Sequence, residues 1–392
     1  MVASAVYLHI GAPKTGTSYL QRMIWTNKQS LFDQGFFMPP GNRRRQFDAV
    51  SDLRGEWWSS QRELTATWDL LAERVHENEG VAVVSEELLC ATPPDKIERI
   101  VSSLAPVPVH VIHTARDIGR QVPAEWQQIL RARSPRTYES WLEQLRDNPV
   151  HSFWQVQDPS TVYQRWEPFL EKGNFHVVTV PRPGSPSRLL WDRFASVIGA
   201  DADRAVAPDA HQNQSLGLAE SELLRRFNAR LGSRFPMRDP YIRVVRDHLL
   251  RQALMGAPDA LRIGVPAEFA DWINERAEES VQALAELGDK VDVVGDPTEL
   301  SAHITHAERS PADQTDSELL EAALDAWVRQ MEAIEVELDE QRERSREAVQ
   351  ERAALEAELH ALRMRPLVRA RRVAGRTVRR AAAKVRGTGP DA

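Results

Sequence analysis

The fold is decided near the start of the chain, where residues 6–25 read VYLHIGAPKTGTSYLQRMIW. Residues 6–10 form a short apolar run that is typical of a buried strand. A turn with two glycines, Gly11 and Gly16, follows this run, and from Thr17 onward the apolar residues recur at helical spacing. The segment therefore predicts a strand, a loop and a helix in succession.

Strand-like and helix-like patterns alternate through the first half of the chain. Further apolar runs rich in β-branched residues predict strands over residues 81–84, 107–113 and 175–180. Helical patterns lie between them, over residues 64–78 and 118–131. Because such alternation is typical of a parallel sheet with helices on both faces, the expected fold class is α/β with a P-loop-like parallel sheet. Residues 201–288 have mostly helical patterns, and residues 291–294 predict one late strand.

The loop after the first strand has the chemistry of an anion site. Gly11 and Gly16 have the spacing of a Walker A loop, but Thr17 stands where that motif has its lysine, and Lys14 comes three residues early. The displaced lysine argues against ordinary phosphoryl transfer from ATP or GTP. Anion binding is still expected, because backbone N–H groups converge at a helix start beside the hydroxyl groups of Thr15, Thr17 and Ser18.

Residues 13–18, Pro-Lys-Thr-Gly-Thr-Ser, resemble the first loop of the PAPS-dependent sulfotransferases. In that family the loop holds the 5′-phosphosulfate of 3′-phosphoadenosine 5′-phosphosulfate (PAPS). The resemblance implies PAPS as co-substrate, no metal, and Lys14 as the catalytic cation that stabilises charge on the leaving phosphate. It also implies donor contacts from the loop residues Lys14, Thr15, Gly16, Thr17 and Ser18. The alternative interpretation is a structural turn.

A second segment that binds the sulfonate donor is expected after the strand over residues 107–113, where Arg116 and Asp117 follow. The same family holds the 3′-phosphate with an arginine at this place, so the resemblance implies a bidentate phosphate contact from Arg116. The family usually has a serine eight residues later, and here that position is Ala124. The second phosphate contact is therefore open among Arg120, Gln121 and Gln127. The alternative for Arg116 is an ion pair with Asp117 or a helix cap.

Transfer of a sulfonate group to a hydroxyl or amine needs a base near the acceptor. Many carbohydrate-directed members of the family use a glutamate, and Glu86 and Glu87 follow the strand over residues 81–84 at the carboxyl edge of the predicted sheet. We expect Glu86 to be the general base, because it comes first after the buried run and Ser85. The alternatives are a solvated carboxylate pair that caps the next helix, and His9 or His113 as the base.

No motif specifies the acceptor. Residues 35–58 contain the run Arg43-Arg44-Arg45 and the pair Trp57-Trp58, which would suit a sugar, a lipid headgroup or a sulfated precursor. The alternative is a charged surface. Ser215 precedes a helical pattern and is expected to be its N-cap.

The length and composition fit one large domain with appendages, or two domains. The chain has 392 residues, 42% of them apolar, and no apolar stretch near the roughly 20 residues that cross a bilayer. Its one cysteine, Cys90, cannot form an internal disulfide, which favours a cytoplasmic location. Cys90 is interpreted as a small buried hydrophobic residue.

The C-terminal part differs from the rest in charge and pattern. Residues 301–317 are polar and predict a linker after an α/β domain over residues 1–300. Apolar residues then recur every seven positions over residues 318–362, which predicts a coiled coil and allows a homodimer. Residues 363–392 hold ten Lys or Arg and one acidic residue, so this basic tail is expected to contact the inner membrane face or another polyanion. The alternatives are a single solvated helix and a disordered tail.

The resemblance implies a sulfotransferase that moves a sulfonate group from PAPS to a hydroxyl or amine of a carbohydrate, lipid or small-molecule acceptor. One alternative is a P-loop nucleotide kinase or NTPase with residues 81–86 as its Walker B-like strand, although Ser85 stands where magnesium needs an aspartate. The other is a catalytically inactive scaffold of the same fold that acts through its coiled coil. The absence of serine at Ala124 supports this scaffold.

Overall fold

The protein folds around one parallel sheet in the computed structural model, which describes residues 2–55, 63–208, 215–232, 234, 240–257, 260–364 and 366–386. Within these residues the sheet has six strands: β1 (Ala5–Gly11), β2 (Phe36–Phe37), β3 (Val81–Ser85), β4 (Val109–Ala115), β5 (Phe175–Thr179) and β6 (Asp292–Val294). Neighbouring strands are parallel, in the order β2-β3-β1-β4-β5-β6. The predicted α/β fold class with a parallel sheet is confirmed.

Helices make up most of the rest of the chain. In chain order they are α1 (Thr17–Thr26), α2 (Lys28–Phe32), α3 (Arg43–Arg54), α4 (Trp68–Glu77), α5 (Pro94–Leu104), α6 (Ile118–Arg131), α7 (Tyr138–Asp147), α8 (Ser152–Gln157), α9 (Pro159–Trp166), α10 (Leu189–Ile198), α11 (Leu218–Leu231), the π-helix Tyr241–Leu254, α12 (Ala267–Glu286), α13 (Asp316–Met364) and α14 (Pro366–Arg386).

Different helices cover the two faces of the sheet. On one face, Leu8 and Ile10 of β1 pack with α3, α4, α5 and α9. On the other face, Val83 and Ile112 pack with α1 and α10. Strand geometry explains this division, because successive side chains of a strand point to opposite faces. Both faces of the sheet are therefore buried, as parallel sheets require.

The strand order places a switch point at the carboxyl end of β1. From β1 the chain runs to β2 and β3 on one side, and then crosses to β4, β5 and β6 on the other. In open parallel sheets, ligands bind in the crevice outside the carboxyl ends of the strands at such a point. The loop after Gly11 lies at this position.

A separate core lies among the later helices. There α6, α7, α8, α11 and α12 pack with the π-helix around buried aromatic residues such as Trp126, Trp141 and Tyr241. One helix prediction needs a correction, because α11 begins at Leu218 with Gly217 as its N-cap. Ser215 therefore does not cap this helix.

The chain divides into two compact units, Met1–Ala326 and Trp327–Ala392. The segment predicted as a linker, residues 301–317, lies in the first unit, where the backbone N–H of His303 donates to Asp117 at 3.0 Å. The second unit contains the remainder of α13, followed by α14. Among the described residues, no helix combines the length and the apolar character that a membrane span needs.

Candidate anion-binding and acid-base site

The loop between β1 and α1 forms the centre of the candidate site. Lys14 and Gly16 have left-handed backbone conformations, with φ angles of 63° and 90°. Gly16 is the N-cap of α1, and no side chain in the described part of the protein caps this end. The first turn of a helix has N–H groups without intrahelical partners, and the helix dipole makes this end positive. An anion would therefore be stabilised at the start of α1.

Packing against α10 requires glycine at position 16. A Cβ atom on Gly16 would lie 2.5 Å from Cδ2 of Leu190, which is closer than van der Waals contact allows. The φ angle of 90° is also unfavourable for any residue with a side chain. Backbone conformation and close approach therefore both favour glycine here.

Side chains from three strands hold this loop from below. The buried hydroxyl of Thr15 donates to the carbonyl of Ala12 and lies within hydrogen-bond distance of the Thr114 hydroxyl. Nε2 of His9 lies 3.4 Å from Thr114 Oγ1, and its Nδ1 lies 2.8 Å from Ser85 Oγ. Burial lowers the pKa of His9 to about 3, so its imidazole is neutral. The Thr15 hydroxyl was predicted to contact the sulfonate donor, but here it is hydrogen-bonded inside the protein.

Glu87 lies directly against the loop. The hydroxyl of Thr17 donates to Oε2 of Glu87 at 2.8 Å, whereas Ser18 is exposed. Glu87 is the first residue of a 3-10 turn, Glu87–Ala91, that follows β3. The second of the two predicted carboxylates is therefore the one in contact with the loop.

Glu86 is buried next to Glu87, and only 6% of its surface is exposed. Burial, followed by the like charge of Glu87, raises the pKa of Glu86 to about 7, while Arg43 acts in the opposite direction. A carboxyl group with a pKa near 7 can accept a proton at neutral pH, as a general base must. This pKa is compatible with the general-base role of Glu86, which stays a prediction.

Arg43 belongs to this site, although the sequence analysis identified it only as part of a run of arginines. Its Nη2 atom donates to Oε1 of Gln21 at 2.8 Å, and Nε2 of Gln21 donates to the carbonyl of Ser85 at 3.0 Å. These bonds connect α3, α1 and the end of β3. A positive charge therefore lies beside the carboxyl edge of the sheet.

Three charged groups act on Lys14, and two of them, Arg131 and Glu125, were not identified from the sequence. Burial and then the charge of Arg131 lower the pKa of Lys14, while Glu125 and Glu87 act in the opposite direction. Among the described residues, no carboxylate lies within ion-pair distance of Lys14. The Lys14 ammonium group is therefore not neutralised by a direct salt bridge.

Arg116 lies against the loop and not against Asp117. Its Nη1 atom donates to the carbonyl of Lys14 at 3.1 Å. Asp117 caps α6 and pairs with Arg120, so the predicted alternative, an Arg116–Asp117 ion pair, is not formed. Burial and the charge of Arg120 lower the pKa of Arg116 to about 10, which leaves the guanidinium charged at neutral pH. The guanidinium of Arg116 is thus held at the backbone of the loop that contains Lys14.

Buried polar atoms without a hydrogen-bond partner cluster after β4 and along α6. Within the described residues they include Nε of Arg116, Nη2 of Arg120, Oε1 of Gln121, Oε2 of Glu125 and Nε of Arg131. Buried polar groups are normally paired with protein, water or ligand. Such a cluster is therefore expected at the binding site of a polar ligand.

The three candidates for the second phosphate contact differ in their partners. The side-chain amide of Gln121 donates to the carbonyl of Pro13, and that of Gln127 donates to the carbonyl of Leu216 at 2.9 Å. Arg120 keeps its buried Nη2 atom without a partner among the described residues. Among these three candidates, Arg120 is therefore the one with a buried donor nitrogen that has no partner in the described part of the chain.

His113 and Cys90 are interior residues. Both are fully buried, and burial lowers the pKa of His113 to about 3 and raises that of the Cys90 thiol to about 12. Neither is accessible to an acceptor in this conformation, which agrees with the interpretation of Cys90 as a buried hydrophobic residue. The pair Trp57-Trp58 lies outside the described residues.

Comparison with known proteins gives only a distant likeness. No family model matches the chain, and no curated protein matches it. Among solved structures, it is similar to a sulfotransferase from Alicyclobacillus acidocaldarius, with 16% sequence identity and a TM-score of 0.35. The likeness covers 58% of this chain and 93% of that chain. So distant a similarity does not establish a shared activity, and the proposal below rests on the residues of this chain.

Proposed function

We propose that this chain is a PAPS-dependent sulfotransferase. One observation carries the proposal: the loop that contains Lys14 ends at the start of α1, at the switch point of the sheet, and the Arg116 guanidinium donates to its backbone. Two cations and a helix N-terminus suit a doubly phosphorylated nucleotide with a sulfonate group. The acceptor is proposed to be a hydroxyl or amine of a carbohydrate, lipid or small molecule.

In the proposed reaction, the acceptor oxygen or nitrogen forms a bond to the sulfur of PAPS. The bond between that sulfur and the bridging phosphate oxygen breaks, and adenosine 3′,5′-bisphosphate leaves with the bonding electrons. Lys14 stabilises the negative charge that develops on the bridging oxygen. The acceptor proton passes to the carboxylate of Glu86, whose pKa of about 7 keeps a large ionised fraction at neutral pH.

The nucleotide kinase alternative finds less support in the geometry. Ser85 stands where a Walker B strand has its magnesium-binding aspartate, and its hydroxyl lies 2.8 Å from Nδ1 of His9 inside the sheet. Lys14 is also three residues away from the Walker A position. Neither residue is placed to serve magnesium and the γ-phosphate of ATP.

The first test is calorimetric binding of adenosine 3′,5′-bisphosphate, the expected product. We expect micromolar binding by the wild type, without metal and in preference to ATP with magnesium. Lys14→Met and Arg116→Met should each weaken binding about 10- to 100-fold, since a bond to a charged group contributes roughly 1.5–3 kcal/mol. Lys172→Met, at an exposed lysine paired with Asp289, is the matched control and should bind normally.

A third variant, at Glu87, tests how a carboxylate beside the loop affects nucleotide affinity. Glu87→Gln removes a negative charge and weakens the acceptor that holds the Thr17 hydroxyl, so it should bind the bisphosphate more tightly than the wild type. Absence of nucleotide binding by the wild type, or preference for ATP with magnesium, would overturn the proposal. Weaker binding by Glu87→Gln would show that the phosphates do not lie at this loop.

A further inference from the structure

The long helix α13 buries one side and exposes another apolar side. Near its start, Leu319, Ala322 and Ala326 are buried within the first unit. One helical step away, a second row of apolar residues begins and remains exposed; Trp327, for example, is 67% exposed. Leu319 and Leu320 differ by about 100° around the helix. The exposed row is therefore not the side that packs in the first unit.

The exposed row continues along α13 with heptad spacing. We define the seam as the residues of this row from 324 to 362, spaced alternately by three and four positions. Its first part contains Leu324, Trp327, Met331, Ile334 and Leu338, and each of these side chains is at least 38% exposed. Its last part contains Leu355, Leu359 and Leu362, which are exposed as well. Two exposed apolar stretches in one heptad register, separated by a polar middle, mark an interaction surface.

We propose that the seam binds the same seam of a second copy of this chain, as a parallel two-stranded coiled coil. A heptad stripe packs best against a helix with the same repeat, and a second copy always supplies that repeat in register. The proposal is independent of the sulfotransferase activity proposed above.

Charges beside the seam fit a parallel pair. In a parallel coiled coil, the residue that precedes one seam position lies opposite a residue five positions later in the partner helix, which follows the next seam position. For example, residue 337, which precedes seam position 338, lies opposite residue 342, which follows seam position 341. Glu337 then faces Arg342 of the second copy, and Glu358 faces Arg363 of the second copy, which are attractive pairs. Glu351 faces Glu356 of the second copy, which is a repulsive pair, so two of the three fully charged pairs attract. In the single chain Arg342 pairs with Asp339 at 2.8 Å, and because both side chains are exposed, exchanging this partner costs little.

The polar middle of the seam also favours the parallel arrangement. An antiparallel pair that joins the apolar ends, with Leu324 opposite Leu362, would place Arg352 against Ile334 of the second copy. A parallel pair places Arg352 beside its own copy, where each guanidinium is already paired with Glu356 at 3.0 Å. The parallel arrangement therefore keeps a charge away from the longest apolar part of the seam.

The association state of the full chain tests the proposal. In sedimentation velocity at micromolar concentration, we expect the wild type to be a dimer. Leu338→Glu places a charge in the seam and should weaken association more than about 100-fold. Val336→Glu makes a comparable change at an exposed valine on the opposite side of the same helix, and this control should remain a dimer. A monomeric or trimeric wild type, or a dimeric Leu338→Glu variant, would overturn the proposal.

A cysteine in the seam tests the orientation. Under mild oxidation, Leu355→Cys should give a disulfide-linked dimer, because a parallel pair places residue 355 beside its own copy. In the antiparallel pair described above, the two copies of this residue would be about 36 Å apart. The native Cys90 is buried and will not compete. A dimer that does not cross-link would refute the parallel arrangement, and cross-linking should disappear when Leu338→Glu is added.

Discussion

Replacing Glu86 with glutamine tests how strongly the fold disfavours its charge. Burial and then the neighbouring Glu87 raise the pKa of Glu86 to about 7, from an ordinary value of 4.5. Between these two values the folded protein keeps a proton that the unfolded chain has lost. The free energy of unfolding therefore falls as the pH rises from 4.5 through 7. The difference between the two values corresponds to about 3 kcal/mol.

Glu86→Gln keeps the shape of the side chain and removes its ionisation. We expect the variant to match the wild type below pH 4.5 and to exceed it by up to about 3 kcal/mol well above pH 7. Urea unfolding at a series of pH values, followed by tryptophan fluorescence, measures this difference. The difference is the informative quantity, because His9 and His113, with their lowered pKa values, destabilise the wild type and the variant alike as the pH falls.

An exposed glutamate on α5 supplies the control. Glu98→Gln removes one carboxylate from the surface and should leave unfolding almost unchanged across the same pH range. If the gap between the wild type and Glu86→Gln were the same at every pH, Glu86 would not titrate near neutrality. Its proposed role as a base at neutral pH would then be refuted.

Two further predictions concern positions near the site. Gly16→Ala should lower the free energy of unfolding by about 2–4 kcal/mol, from backbone strain plus the clash with α10. Gly184 has a similar φ of 88°, but a Cβ atom added there would have no atom within 4 Å, so Gly184→Ala should lower the free energy of unfolding by only about 1 kcal/mol. Chemical denaturation compares the two, and equal losses would contradict the clash. Arg193→Ala should cost about 3 kcal/mol, because it leaves Glu299 buried without its cation. Arg188→Ala, at the exposed N-cap position of the same helix, should change thermal unfolding little, and similar shifts for both variants would contradict this difference.

The elements of the sheet could be predicted because their apolar runs are long. The runs over residues 6–10, 107–113 and 175–180 all became strands with ends shifted by no more than two residues. β2 could not be predicted, because Phe36 and Phe37 are only two residues and show no periodicity. The bounds of α6 were predicted as they are found, since Asp117 supplies an N-cap, accepting from the backbone N–H of Arg120.

The site was predictable only where a local motif carries it. The glycines and Lys14 identify the loop, but nothing in the order Ser-Glu-Glu tells which carboxylate faces it, because strand alternation ends at Ser85. Glu125 was missed because it lies two turns into α6, away from any strand end. Glu125 comes four residues after Gln121, so both lie on one helical face, and this spacing is the signal that could have identified Glu125.

The hydrogen bonds beneath the loop between β1 and α1 affect the free energy that binding an anion there would have. Thr15, Thr114 and His9 fix the loop through contacts that form when the sheet folds. Ordering a flexible loop on binding would oppose association by roughly 1–2 kcal/mol for each backbone residue that is immobilised. Here the loop is preorganised, so little conformational entropy is lost when an anion arrives. Its affinity would then be set mainly by charge and desolvation, and should respond steeply to ionic strength.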